Sequence, residues 1–145
     1  MSMFSALEIS GAAMGAERQR AEVVATNMAN AETTRTSSGE PYRRKEVVFS
    51  GASNSPFQLM LAGFRRLTGR SAVHVSKVVN DPSPPVMRYE PGHPDADKSG
   101  YVAYPAINPI EEMVDLMGAA RAYQLNATAV SATKQMIQGA MDILK

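Results

Sequence analysis

The run Asp95-Ala96-Asp97-Lys98-Ser99-Gly100 has the spacing of the first half of a calcium-binding loop. That chemistry needs oxygen ligands at alternate positions, a glycine for the sharp turn and a bidentate Glu at loop position twelve. Position twelve here is Ala106, which carries no ligand atom. The same residues read as a polar turn, in which Asp and Ser bond their own backbone and Gly100 supplies a positive φ. His74 and His93 are the only histidines. They are too few for a three-histidine zinc site, and no HExxH helix is present. A serine nucleophile would need a histidine base, and no GxSxG elbow occurs. No glycine-rich phosphate loop occurs either. With no cysteine in the chain, thiolate ligands, cysteine nucleophiles and disulfides are all excluded. The expectation is a protein that is not an enzyme, with no catalytic, metal or cofactor site.

Charge gives little more. The formal net charge is +1, which argues against a strongly anionic partner. Arg43, Arg44, Lys45, Arg65, Arg66, Arg70 and Lys77 have only Glu46 among them as counter-charge. The aromatic interleaving of an RNA-binding sheet is missing, so a solvated face is expected and no nucleic acid partner. Val47 to Phe64 is uncharged, but its Ser, Asn, Gln and Pro residues exclude a membrane span, and no membrane insertion is expected. The N-terminus lacks the basic and long apolar regions of an ordinary cleaved secretion signal.

The informative patterns lie at the two ends. Met113, Leu116, Ala120, Tyr123, Ala127, Val130, Ile137, Met141 and Leu144 follow at alternating steps of three and four, with Lys134 the only polar rung. Such a stripe is the seam along which helices coil around each other. A second stripe lies beside it: Ala122, Leu125, Ala129, Ala132, Met136, Ala140 and Ile143. One partner helix cannot cover both, so the chain is expected to complete its fold by packing with others. Asn108 is a good N-cap, Pro109 suits the first turn, and Glu111 lies three residues after the cap. Glu111, Glu112 and Asp115 suit the positive end of the helix dipole. From Pro109 to Leu144 the helix would be about 54 Å long.

At the other end Leu7, Met14, Ala21 and Met28 lie one heptad apart, with Val24 and Ala25 on neighbouring faces. Gly11 and Gly15 weaken that helix by about 1 kcal/mol each relative to Ala, so it should need its neighbours. All nine prolines fall between Pro41 and Pro109. Strands are predicted at Tyr42–Phe49, Ala72–Val79, Val86–Glu90 and Tyr101–Tyr104 from β-branched and aromatic content. Asp81 to Pro85 must be extended, and Glu90 to Gly100 reads as a surface loop. Phe57 to Leu67 could be a short helix opened by Ser55-Pro56, or a loop. The fold class is therefore α+β. Residues 1–30 and 108–145 form long helices of a coiled-coil-like helical domain, with a small Pro/Gly-rich, β-rich insert at 31–107 between them. The residues expected in subunit or helix packing are those of the main ladder together with Leu7, Met14, Ala21, Val24 and Met28.

Several segments also resemble one known family. They are Ala25-Thr26-Asn27-Met28-Ala29-Asn30-Ala31-Glu32-Thr33-Thr34, the strand Tyr42 to Phe49, and Asn80 to Pro85 followed by Tyr89 to Asp97 and Gly100 to Val102. Pro109 to Leu116, Ala120 to Gln124 and Lys134 to Met136 complete the set. In this order, over nearly the whole chain, they resemble the bacterial flagellar rod and hook axial proteins, and the proximal-rod type within that family. Gly51 to Arg70 departs from the pattern in being longer and more apolar.

The resemblance implies a structural subunit of the flagellar basal body. Such subunits pass unfolded through the type III flagellar export apparatus without a cleaved signal. They then assemble with copies of themselves and other rod proteins, inside the basal-body rings, into the tubular drive shaft that crosses the periplasm and transmits torque for motility. The alternative is a soluble coiled-coil adaptor or secretion chaperone, whose ladder would bind one helical partner. Two adjacent apolar stripes favour several neighbours.

Overall fold

The computed structural model describes residues 3–51 and 73–143. The elements in chain order are α1 (Met3–Ala29), β1 (Lys45–Gly51), β2 (Val73–Asn80), β3 (Val86–Tyr89), β4 (Tyr101–Tyr104) and α2 (Pro109–Ile143). The class is α+β, with the helices drawn from the two ends of the chain and the strands between them. Predicted features at Phe57–Leu67, Ala72 and Leu144, and the basic residues Arg65, Arg66 and Arg70, lie outside the described residues.

α2 begins where its cap chemistry dictates. Asn108 Oδ1 accepts the Ile110 N–H at 3.1 Å, and the Asn108 carbonyl accepts the first helical bond from Glu112 N–H at 3.1 Å. Its 35 residues span about 52 Å at 1.5 Å each. α1 ends in a polar turn, where Asn30 donates from both its backbone and its side chain to the Thr26 carbonyl. The two helices run antiparallel: Asn27 meets Glu112, and Arg20, seven residues earlier on α1, meets Asp115, three residues later on α2. Among the described residues, no helix is long and apolar enough to cross a membrane.

The strands form separate antiparallel ribbons. β1 pairs with β2 from Lys45↔Asn80 to Gly51↔Val73, with an irregularity between Val48 and Phe49. β3 pairs with β4 from Val86↔Tyr104 to Tyr89↔Tyr101. The β1–β2 ribbon lies against α1. β1 starts at Lys45 rather than Tyr42, because Tyr42 N–H is drawn to the Thr33 carbonyl at 3.1 Å and so joins the segment leaving α1. β3 ends one residue before Glu90, whose N–H closes the β3–β4 loop on the Gly100 carbonyl at 2.9 Å.

That loop requires its glycine. Gly100 has φ 82°, a conformation that side chains strongly disfavour. A Cβ there would also lie 2.9 Å from Tyr89 Cε2.

The apolar core is thin. Among the described residues Ala16, Val24, Val102, Tyr104 and Ala119 are buried, with Pro105 beside them. Polar Asn27, Glu112 and Thr133 are buried with them.

Candidate functional site

A buried polar cluster lies where the end of α1, the start of α2 and the start of β1 converge. Asn27 is 1% exposed and Glu112 0%. Buried polar groups of this kind must find partners, and both do. Asn27 Nδ2 donates to Glu112 Oε2 at 3.0 Å and to the Lys45 carbonyl at 2.9 Å. Asn27 Oδ1 accepts Lys45 N–H at 2.9 Å and the Tyr42 hydroxyl at 3.0 Å. The other Glu112 oxygen accepts from Arg44 Nε.

Ion pairs surround this node. Arg44 also pairs with Glu46, and lies 4.0 Å from Asp81 and 3.7 Å from Asp115. Asp115 accepts from Arg20 at 3.0 Å. Burial works against the Arg44 cation, but the hydrogen bond to Glu112 and the charges of Glu112, Glu46 and Asp81 outweigh it, so its pKa rises. Burial, and then the Glu112 charge, raise the Tyr42 hydroxyl above its ordinary value. Hydrogen bonds from Ser83, aided by Arg44, lower Asp81.

Arg44 therefore leaves the solvated basic face expected of it. Sequence proximity had offered only Glu46 as a counter-charge, whereas the fold brings Glu112, Asp81 and Asp115 from far along the chain. Arg43 and Lys77 are exposed, as that expectation had them.

The calcium-like run is a self-bonded turn. Asp97 Oδ1 accepts from Ser99 N–H at 2.8 Å and Tyr101 N–H at 2.9 Å. Asp95 accepts from Thr34 Oγ1 at 2.8 Å and pairs with Arg35 at 3.2 Å, which ties the loop to the segment after α1. Among the described residues, no group of three or more His, Cys, Asp or Glu side chains is placed to hold a metal ion. His93 Nδ1 accepts Asp95 N–H at 3.1 Å and its ring meets Tyr104 edge-on, while His74 is exposed on β2.

The ladder residues divide. On α1, Val24 is buried, and Leu7, Met14, Ala21 and Met28 are half-buried. On α2, Leu116, Ala127, Val130 and Ile137 are half-buried, whereas Met113, Ala120, Tyr123 and Met141 are exposed. Glu112, Ala119 and Thr133 are buried instead, each one position before Met113, Ala120 and Lys134. Hydrophobicity could not single these out, because two are polar and Ala119 is no more apolar than Ala120. Ala16 and Ala119 are small, which lets backbones approach closely.

The opposite side of α2 carries large apolar side chains too. At 100° per residue, Ile110, Val114, Met117, Leu125, Ala132 and Met136 share a sector facing away from the Glu112–Ala119–Thr133 line. They are exposed, Ile110 by 74%, Met117 by 66% and Leu125 by 65%. Arg121, Thr128 and Gln135 are its polar side chains, and Arg121 its only charge. A surface helix normally turns a polar side outward; this one exposes large apolar side chains among its polar ones.

Comparison with known proteins supplies a context for these features. The family model described as "Flagellar basal body rod FlgEFG protein C-terminal" matches residues 98–143. The flagellar basal-body rod protein FlgC of Bacillus subtilis is 40% identical over 151 aligned positions, covering 100% of this chain and 100% of that protein. The protein of the same name from Borreliella burgdorferi is 36% identical, covering 100% and 99%. That of Salmonella typhimurium is 36% identical over 137 positions, 94% of each chain.

Proposed function

The chain belongs to the FlgC family of flagellar basal-body rod proteins, and from that membership we propose that it is a structural subunit of the proximal rod. In this reading it assembles with copies of itself and with other rod proteins into the periplasm-spanning shaft that transmits torque for motility. It reaches that site through the flagellar export apparatus and sits within the basal-body rings. It has no catalytic role. Residues 1–30 and 108–145 act as a coiled-coil-like helical domain, and 31–107 as a β insert.

The observation that carries the reading is the exposed apolar side of α2. A subunit that ends its folding with Ile110, Val114, Met117, Leu125 and Met136 in water leaves a face whose burial each neighbour in an assembly would complete. The half-buried residues Leu7, Met14, Ala21 and Met28 on α1, and Leu116, Ala127, Val130 and Ile137 on α2, then hold the subunit's own helix pair. Met113, Ala120, Tyr123 and Met141 complete the contacts to neighbours. Full-length kinship to rod proteins removes the ground for a single-partner adaptor or chaperone.

The test is electron microscopy of detergent-extracted basal bodies from a strain lacking the gene, and from the same strain carrying it again. Missing rods restored by the gene are expected. Intact rods without it would end the proposal.

A further inference from the structure

We propose that Asn27 serves as a one-residue third strand for the β1–β2 ribbon, aimed by Glu112 of the opposite helix, so that the ribbon seats fully only when α2 is in place. In an antiparallel ladder, the N–H and C=O of one residue point to the same side. Arg44, one residue before β1, turns its carbonyl toward β2, where it accepts Asp81 N–H at 2.8 Å. Lys45 therefore turns both of its backbone groups the other way. Among the described residues no strand lies there; the Asn27 side chain does, accepting from the N–H and donating to the C=O, each at 2.9 Å. A carboxamide carries the acceptor and donor that a neighbouring peptide unit would present.

One amide can do this only if its plane is fixed. The second Nδ2 hydrogen supplies the fix by reaching Glu112 Oε2 at 3.0 Å, and the Tyr42 hydroxyl holds Oδ1 at 3.0 Å. Glu112 makes no hydrogen bond to either backbone group of Lys45 in this arrangement. It is a positioning residue, itself held by Arg44 from the ribbon side. Segments around positions 27, 44 and 112 thus close on one another. The device is intramolecular and does not depend on the rod reading.

Amide hydrogen exchange by NMR tests it on the full chain. In Glu112→Gln and, separately, Arg44→Gln, the Lys45 N–H should exchange about ten-fold faster, while amides in the middle of α1 and α2 keep their protection. Asn27→Ala should give the largest acceleration. Unchanged Lys45 exchange in the Glu112 and Arg44 variants would overturn the positioning role, and so would equal acceleration at every amide, which reports global destabilisation. Should Glu112→Gln lose its helix signal, Arg44→Gln decides the matter, because Arg44 lies outside both helices.

Discussion

Asn27 Nδ2 lies 3.0 Å from Glu112 Oε2, joining the last turns of α1 to the first turn of α2 across 85 positions of sequence. A neutral donor against a buried carboxylate is stabilising only while it remains neutral and a donor. Asn27→Asp keeps the acceptor for Lys45 N–H but sets a second carboxylate against Glu112. Like charges in a buried site cannot both ionise without cost. The expected loss is about 3–5 kcal/mol, of the order seen when a buried pair is broken. Asn27→Ala leaves its partners unsatisfied, at about 1–3 kcal/mol. Urea unfolding of the three proteins should rank them wild type, Ala, Asp.

The β3–β4 loop makes a second prediction. Gly100→Ala forces a side chain into φ 82° and against the Tyr89 ring, which should cost about 1–3 kcal/mol. Asp97→Ala removes two bonds to backbone N–H groups and should cost about 1 kcal/mol. Because Asp95 and Asp97 are already spent on protein partners, isothermal calorimetry with calcium should show no heat of binding that Asp95→Ala abolishes.

Asp81 contributes to the acid dependence of stability. Its folded pKa lies below the ordinary 3.8, through hydrogen bonds from Ser83 and the nearby Arg44. A carboxyl with a depressed folded pKa binds its proton more readily in the unfolded chain. Its contribution is therefore complete above the unfolded value and fades as pH falls from about 3.8 through the lower folded value. Unfolding midpoints of wild type and Asp81→Asn should differ at neutral pH and converge in that acid range.

Much of this fold was legible in the chain. The ladder spacing and the Asn108-Pro109 start located α2, and β-branched runs located the strands to within a few residues. The junction was not legible, for a physical reason. Asn27 reads as the end of a helix, Arg44 as one of a run of surface cations, and Glu112 as a charge suited to the helix dipole. Each of those local readings is sound, yet the energetics lie in pairings across 18, 68 and 85 positions, which periodicity does not encode. The same limit shifted the ladder. Glu112 and Thr133 can be buried because they have partners: Asn27 and Arg44 for the first, the Ala129 carbonyl for the second.

The two sides of α2 make the last prediction, because they should fail differently. Val130 is half-buried and Val114 exposed by 64%. In the isolated subunit, Val130→Asp desolvates a charge within the partly buried helix face without a partner and should destabilise the chain by several kcal/mol. Val114→Asp points into water and should leave unfolding within about 0.5 kcal/mol of wild type. In an assembly that covers the outer face the second charge is also desolvated, and the cost recurs at every copy. Both variants should therefore abolish swimming in a complemented deletion strain, but only Val130→Asp should lower the thermal midpoint of purified protein. Lys98→Ala, on the exposed loop, should change neither. Normal rods and swimming with Val114→Asp would show that the outer face meets no neighbour, and would return the search for subunit contacts to the ribbons.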